Sequence, residues 1–332
     1  MANQTRIDVL ETGVHRTGIL FNPLGGQARK RKKAIKQMLT VIPHAIYQEA
    51  TNWPEFKASI NSLLQAEINL LVIIGGDGTI HAILDLLFTA RSPEKWPILA
   101  IIAGGTTNMT SLELGIRGKP ERALQQLSNL LSQSQSLTSS LVRRPVLCIE
   151  QTGTKKNYGL FFGAGLIARG VKFSRSNVKQ LGITGGIFTL FIMLRSLAGM
   201  LLGQHQNEWA PADIKMTDAN GKVRNKTCLF ALVSALDCLL LGIRPYWGKE
   251  SAPLHVTMVD QQRRHLWRSL WPLLSGHGDR LKEQNGYHSQ NVTSIELMMD
   301  DEYIVDGELY RATIRNGPLR ISATDPVTFL VI

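Results

Sequence analysis

Leu70-Leu71-Val72-Ile73-Ile74 is an unbroken apolar run that ends abruptly in Gly75-Gly76-Asp77-Gly78-Thr79. Branched aliphatic residues without alternation are the pattern of a strand buried on both faces of a parallel sheet. Ligands bind where such strands end, so the glycine turn is expected to lie where chemistry happens. Its parts suit a phosphate. Glycines let the backbone approach closely, Asp77 can hold a magnesium ion or take a proton, and Thr79 can donate to a phosphate oxygen. Taken alone, Gly-Gly-Asp-Gly is equally well an ordinary tight turn.

Two companion junctions tip the balance. Ile19-Leu20-Phe21 leads into Asn22-Pro23-Leu24-Gly25-Gly26, and Ile98-Leu99-Ala100-Ile101-Ile102 leads into Ala103-Gly104-Gly105-Thr106-Thr107-Asn108. After each of the three junctions, helical spacing of apolar residues predicts a helix, over 34–41, 80–88 and 119–131. The 80–88 helix opens directly from the Gly75–Thr79 turn, and the N-terminal N–H groups of a helix favour phosphate. A Ser- and Gln-rich stretch at 132–140 reads as a linker. Beyond it, short segments suited to strands dominate: 146–150, 158–162, 228–234, 255–259, 294–299, 311–314 and 329–332. At 332 residues and 44% apolar content the chain is long enough for two cores. The expected organisation is an α/β nucleotide-binding domain over 1–138 and a β-rich, sandwich-like domain over 139–332.

Four motifs in order, Asn22-Pro23-x-Gly25-Gly26, Gly75-Gly76-Asp77-Gly78-Thr79, Gly105-Thr106-Thr107-Asn108 and Asp306-Gly307-Glu308, resemble the diacylglycerol kinase catalytic family, including bacterial lipid kinases and the related sphingosine kinases. The resemblance runs from about residue 15 to the last residue. It implies a three-layer nucleotide domain followed by a β-rich domain, with the active site in the cleft between them. It also implies transfer of the ATP γ-phosphoryl group to a hydroxyl of diacylglycerol or a similar membrane lipid, with ATP and Mg2+ as cofactors. Carried over residue by residue, Asn22, Gly25, Gly26, Gly75, Gly76, Asp77, Gly78, Thr79, Gly105, Thr106, Thr107 and Asn108 are the implied nucleotide contacts. Asp77 is the candidate for magnesium coordination through water or for catalysis, Glu308 the implied general base, and Asp306 a group near the substrate. Read without the upstream motifs, Asp306-Gly307 is simply a hairpin turn.

The departures from the family pattern fall mostly on acids. Met109 stands where many relatives have Asp, Arg143-Arg144-Pro145 where an acid opens the second domain, and Ser251-Ala252 where some bacterial members carry an Asp-Gly pair near a structural magnesium. Gly25 replaces a serine. These substitutions keep open a second reading, a relative that binds lipid or nucleotide without turnover in a regulatory or transport role. A third, NAD kinase, shares the Gly-Gly-Asp-Gly loop but usually continues to a Gly-Ile-Asn type segment, which Gly105-Thr106-Thr107-Asn108 does not match.

The net charge of +11 implies an anionic partner. Arg29, Lys30, Arg31, Lys32, Lys33 and Lys36 follow the first glycine turn and read either as a solvated helix face or as attraction for ATP phosphates or an anionic membrane surface. No nucleic-acid motif accompanies them, so nucleic acid is not an expected partner. Residues 185–203 are apolar enough to suggest a membrane span, but Arg195 at their middle favours a buried or cleft-lining helix. Residues 265–274, His-Leu-Trp-Arg-Ser-Leu-Trp-Pro-Leu-Leu, mix Trp, Leu and Arg as interfacial segments do, while ordinary packing between domains is the first reading of the same residues. Either stretch could also line a pocket for acyl chains. Cys148, Cys228 and Cys238 lie apart, without zinc or disulfide spacing, and read as reduced thiols. The polar first residues argue against a secretory signal. A cytoplasmic protein, peripheral at the inner membrane face, follows. Since relatives are often dimers, a homodimer is expected.

Overall fold

The computed structural model describes residues 16–42, 44–90, 93–132, 138–181, 212–218, 221 and 223–332. The chain forms two compact units, one of residues 1–144 with 325–332 and one of residues 145–324.

In the first unit the three predicted apolar runs are the strands β1 (Thr17–Phe21), β3 (Leu70–Gly75) and β4 (Ile98–Ala103), joined by β2 (Ile46–Glu49), β5 (Gly115–Ile116) and β6 (Leu141–Arg144), which the sequence did not single out. The strands β7 to β17 belong to the second unit, and β18 (Val327–Leu330) returns to the first. The sheet order is β2-β1-β3-β4-β18-β6, with β5 beside β4. β1 pairs in parallel with β2 and β3, β3 with β4, and β4 with β5 and β18. Only β6 runs antiparallel, against β18. Every residue of β3 is buried, as its unalternating sequence requires. One face of the sheet, with Ile19, Val72, Ile74 and Ile102, packs with Ile35 and Leu124 from the helices Lys32–Met38 and Pro120–Ser132.

Helix positions follow the sequence with instructive shifts. The segment expected at 34–41 is the helix Lys32–Met38 closed by a single 3-10 turn at Leu39–Val41. The helix expected at 80–88 spans Asp77–Ala90, so Asp77, Gly78 and Thr79 are its first turn rather than a loop before it. The helix Trp53–Gln65 is fixed by Asn52, whose side chain accepts from Glu55 N at 3.1 Å, while the Glu55 carboxylate accepts from Thr51 N at 2.7 Å, a reciprocal cap.

The unit boundary falls at Arg144 and not in the Ser/Gln stretch, because β6 pairs into the first sheet. Residues 325–332, expected in the β-rich domain, join the first unit for the same reason: Phe329 of β18 is in register with Leu99 of β4.

The second unit is antiparallel. Its strands are β7 (Leu147–Glu150), β8 (Asn157–Gly159), β9 (Phe161–Gly165), β10 (Ala212–Asp218), β11 (Val223–Ser234), β12 (Leu254–Asp260), β13 (Tyr287–Val292), β14 (Ser294–Met298), β15 (Asp301–Val305), β16 (Glu308–Ala312) and β17 (Leu319–Ala323). They hydrogen-bond in the order β16-β15-β9-β11-β10-β14-β17-β7-β8, with β12 bridging β11 and β13. The strand expected at 311–314 ends earlier, at Ala312, and Ile314–Asn316 is a 3-10 turn. The apolar stretch 185–203 lies outside the described residues, and among those described no helix is long and apolar enough to cross a membrane.

Candidate active site

The three glycine junctions converge at the C-terminal ends of β1, β3 and β4, and backbone hydrogen bonds lock them together. Asn22 N donates to Ile74 O at 2.9 Å, and Gly104 N donates to Gly75 O at 2.7 Å. Gly104 O in turn accepts from Gln27 N at 3.0 Å and Ala28 N at 2.9 Å, at the start of the short helix Gly26–Lys30. Gly104, absent from the set of contacts inferred from the sequence, is therefore the hub of the site. The Gly104-Gly105 doublet was its only sequence signal.

Glycine is required where these loops touch. A Cβ on Gly105 would lie 2.5 Å from Gly76 Cα, and one on Gly76 would lie 2.8 Å from Gly105 Cα. A Cβ on Gly25 would lie 2.5 Å from Gly104 O. The departure from serine at position 25 thus matches a loop that has closed onto its neighbour.

The polar side chains hold this cradle in shape. Asn22 Nδ2 donates to Thr79 Oγ1 at 2.8 Å, and Asn22 Oδ1 accepts from Leu24 N at 3.0 Å. Asn108, in the left-handed region with φ 53°, folds its side chain back: Oδ1 accepts from Gly105 N at 2.7 Å and Nδ2 donates to Gly105 O at 3.0 Å. Asn tolerates that conformation better than other residues with a Cβ. Thr79 and Asn108 are buried, whereas Gly78 and Thr106 are exposed and Asp77 and Thr107 half-buried.

Asp77 is more constrained than its motif suggests. Its Oδ2 accepts from Met109 N at 3.1 Å and its Oδ1 from Thr110 N at 2.9 Å, at the start of the helix Met109–Leu114. The carboxylate is oriented by the third loop, so the second and third motifs act as one piece. At position 109 the contact with Asp77 is made by the backbone N–H of Met109. Arg144, from the other acid-depleted position, pairs with Glu113 at 2.9 Å.

A phosphate group fits these residues. The helix Asp77–Ala90 presents its N-terminus at these loops, and the hydroxyls of Thr79 and Thr106 lie close against Gly75 and Gly26 as further donors. Among the described residues no group of three or more His, Cys, Asp or Glu side chains is placed to hold a metal ion. One carboxylate at the loops fits a magnesium ion that takes most of its ligands from substrate phosphates and water, since one or two protein carboxylates then suffice. Asp77 is the carboxylate in place.

The basic cluster beside the first loop is partly neutralised. Lys32 and Lys36 pair with Glu49 at 3.0 and 2.7 Å, and Arg31 pairs with Glu121. Arg29, Lys30 and Lys33 are exposed. Burial alone would raise the Glu49 carboxyl, but hydrogen bonds from Lys36, Lys32 and Tyr47 outweigh it and bring the pKa down to about 2. A carboxylate whose folded pKa lies below its unfolded value of 4.5 stabilises the fold above that value, and the contribution fades as pH falls toward about 2. Urea unfolding of Glu49→Gln and the parent protein should therefore show midpoints that differ at pH 7 and converge near pH 2. A gap that stays constant with pH would show that Glu49 acts by packing alone.

Asp306, Gly307 and Glu308 belong to the second unit. Asp306 and Gly307, with φ of 48° and 90°, are the two central residues of the tight β15–β16 hairpin, and Glu308 opens β16 opposite Val305. The Asp306 side chain is buried and turned inward: Oδ1 accepts from Leu160 N at 3.1 Å and Phe161 N at 2.9 Å, and Oδ2 from Leu160 N at 3.1 Å. The geometry gives Asp306 a positioning role that anchors the hairpin carrying Glu308 to the start of β9. Asp306→Ala should destabilise the protein by about 1–3 kcal/mol for each buried donor left unmet. Asp306→Asn, which keeps an acceptor and suits the left-handed turn, should cost less. Equal unfolding midpoints for the two variants would contradict that bracing role.

The comparisons with known proteins agree with this geometry. Residues 16–139 match the family model of the diacylglycerol kinase catalytic domain. The first unit resembles that kinase family in sequence as well as in its glycine loops. The match ends close to where the chain passes toward the antiparallel unit and covers well under half of the 332 residues. Similar solved structures extend the likeness of fold over nearly the whole chain. One, described as a "putative diacylglycerol kinase" from Bacillus anthracis str. Sterne, shares 17% identity at a TM-score of 0.65, covering 94% of each chain. Another, a diacylglycerol kinase from the same organism, shares 16% identity at a TM-score of 0.63, covering 95% of this chain and 96% of its own. The mixed α/β unit followed by an antiparallel β-rich unit is thus a fold shared with these structures. No curated protein matches the chain.

Proposed function

We propose that the protein is an ATP-dependent lipid kinase that phosphorylates a hydroxyl of diacylglycerol or a similar membrane lipid. The observation that carries this reading is the interlocked cradle of Gly25, Gly76, Gly104 and Gly105 at the ends of three parallel strands, with Asp77 held beside it, in a segment matched by a kinase family model.

In this reading the loops around Asn22, Gly26, Gly75 to Thr79 and Gly105 to Asn108 bind the nucleotide phosphates. Magnesium, when bound with ATP, neutralises charge on the phosphates, and Asp77 contributes a ligand. The lipid hydroxyl oxygen forms a bond to the γ-phosphorus as the bond from that phosphorus to the β,γ-bridging oxygen breaks. The hydroxyl proton passes to the Glu308 carboxylate, and ADP leaves. The protein then works as a peripheral enzyme at the inner membrane face, as a homodimer.

A second reading, binding without turnover, is favoured by Met109, Arg143, Arg144 and Ser251 where the resemblance leads one to expect acids. The test is to incubate the protein with γ-labelled Mg-ATP and a panel of hydroxylated lipids, with NAD as competing acceptor. A labelled lipid supports the proposal and names the acceptor. Label on NAD alone, or nucleotide binding with no labelled product, overturns it.

A further inference from the structure

The helix Leu266–Ser275 in the second unit carries a surface that nothing in the nucleotide chemistry explains. Its Leu273 packs in a core with Leu166, Leu229, Val259, Leu281 and Tyr287. At the helical repeat of 3.6 residues, Trp267 and Trp271 lie one turn apart on the side away from Leu273. They are 65% and 75% exposed, the two most exposed large hydrophobic side chains among the described residues. Single exposed apolar residues are ordinary, but two tryptophans presented together on one face mark a contact surface.

The helix is held rigidly enough to serve as one. It ends at Gly276, a left-handed C-cap with φ 76°. Arg244 N donates to Leu274 O at 3.1 Å, and Tyr287 Oη donates to Arg264 O at 3.1 Å. Charge identifies the occupant. The stretch from Gln261 to Lys282 carries Arg263, Arg264, Arg268, Arg280 and Lys282 against one acid, Asp279, and Arg264, Arg268, Arg280 and Lys282 are exposed. A second copy of the chain would bring this positive segment against itself in a two-fold contact, whereas a bilayer surface bearing phosphates complements it. Tryptophan rings settle at the headgroup level of membranes, and surface cations strengthen binding to anionic lipids.

We propose that the helix Leu266–Ser275 docks the protein on an anionic phospholipid surface, with Trp267 and Trp271 entering at headgroup level and the flanking cations meeting lipid phosphates. As a device for reaching the substrate, this docking rests on the lipid-kinase reading; as a membrane contact it is measured without ATP.

The experiment is sedimentation with vesicles of phosphatidylcholine containing about one-third phosphatidylglycerol, and with pure phosphatidylcholine vesicles as reference. Trp267→Ala with Trp271→Ala is compared with the intact chain and with Trp53→Ala, an exposed tryptophan in the first unit. Unfolding midpoints confirm that all fold, and sedimentation velocity reports oligomeric state. The double variant is expected to bind the anionic vesicles about tenfold or more weakly, with Trp53→Ala unchanged and binding that falls with salt. Equal binding by the double variant, no binding by the intact chain, or a dimer that dissociates only in the double variant would overturn the proposal. Transfer of phosphate to a soluble short-chain diacylglycerol, expected to be the same in the double variant, separates the two claims. If the protein phosphorylates neither this nor any lipid of the acceptor panel, yet vesicle binding behaves as expected, the membrane contact stands and the kinase reading falls.

Discussion

Asp77→Ala is expected to lose phosphoryl transfer by on the order of 10³-fold, the scale of removing several kcal/mol of charge stabilisation at the transferring group. The same change has a structural cost. Both carboxylate oxygens accept backbone N–H groups, from Met109 and Thr110, and Thr110 is buried. Leaving such donors unmet costs about 1–3 kcal/mol each, so a lower unfolding midpoint accompanies the loss of activity. Asp77→Asn separates the effects. Its amide oxygen can still serve one donor, so it should fold more stably than the alanine variant while remaining nearly inactive, because a neutral amide is a poor magnesium ligand. A folded Asp77→Asn protein with unaltered turnover would remove Asp77 from the mechanism and leave it as a brace between the second and third loops.

Gly105→Ala should have the second largest effect. The added methyl would meet Gly76 Cα at 2.5 Å and Asn108 Oδ1 at 2.9 Å, so backbone must give way against backbone. Overpacking of this kind costs about 1–3 kcal/mol. The larger consequence is functional, since relieving the contact parts the loops that the proposed reading assigns to the phosphates. ATP affinity, read by calorimetry, should fall by more than tenfold. Gly25→Ser should fail to improve binding and should weaken it, because the new Cβ would lie 2.5 Å from Gly104 O. Tighter ATP binding by Gly25→Ser would show that the loops open in solution.

The parts of this site that were legible in the sequence share one physical origin. Runs such as Leu70–Ile74 and Ile98–Ile102 are so uniformly apolar that burial on both faces is their only favourable state, and the glycines after them mark where backbone approaches backbone. Hence the three loops are legible in the sequence. The role of Gly104 was less visible, because a carbonyl that accepts from two N–H groups leaves no side-chain signature. Asp77's attachment to Met109 and Thr110 was hidden for the same reason: the donors are main-chain groups, which any residue supplies. The return of β18 to the first sheet was missed because Val327–Leu330 reads as a strand whichever sheet it joins. Asp306-Gly307 was recognised as a hairpin turn, yet the inward direction of the Asp306 carboxylate depends on Leu160 and Phe161, far away in sequence.

The expected charge effects needed correction by the fold. Six cations between Arg29 and Lys36 read as one anion-attracting face, but Glu49 and Glu121 engage half of them. By contrast, the tryptophans at 267 and 271, undecided between packing and interface in the sequence, are exposed in the structure.

The most direct test of the central claim is the initial rate of label transfer from γ-labelled Mg-ATP to a short-chain diacylglycerol by the intact protein, read beside Glu308→Gln. The account predicts a labelled phosphatidic acid from the intact protein and almost none from the variant. Saturable ATP binding without any labelled lipid, across the acceptor panel, would contradict it and make the glycine cradle a nucleotide-binding site without turnover.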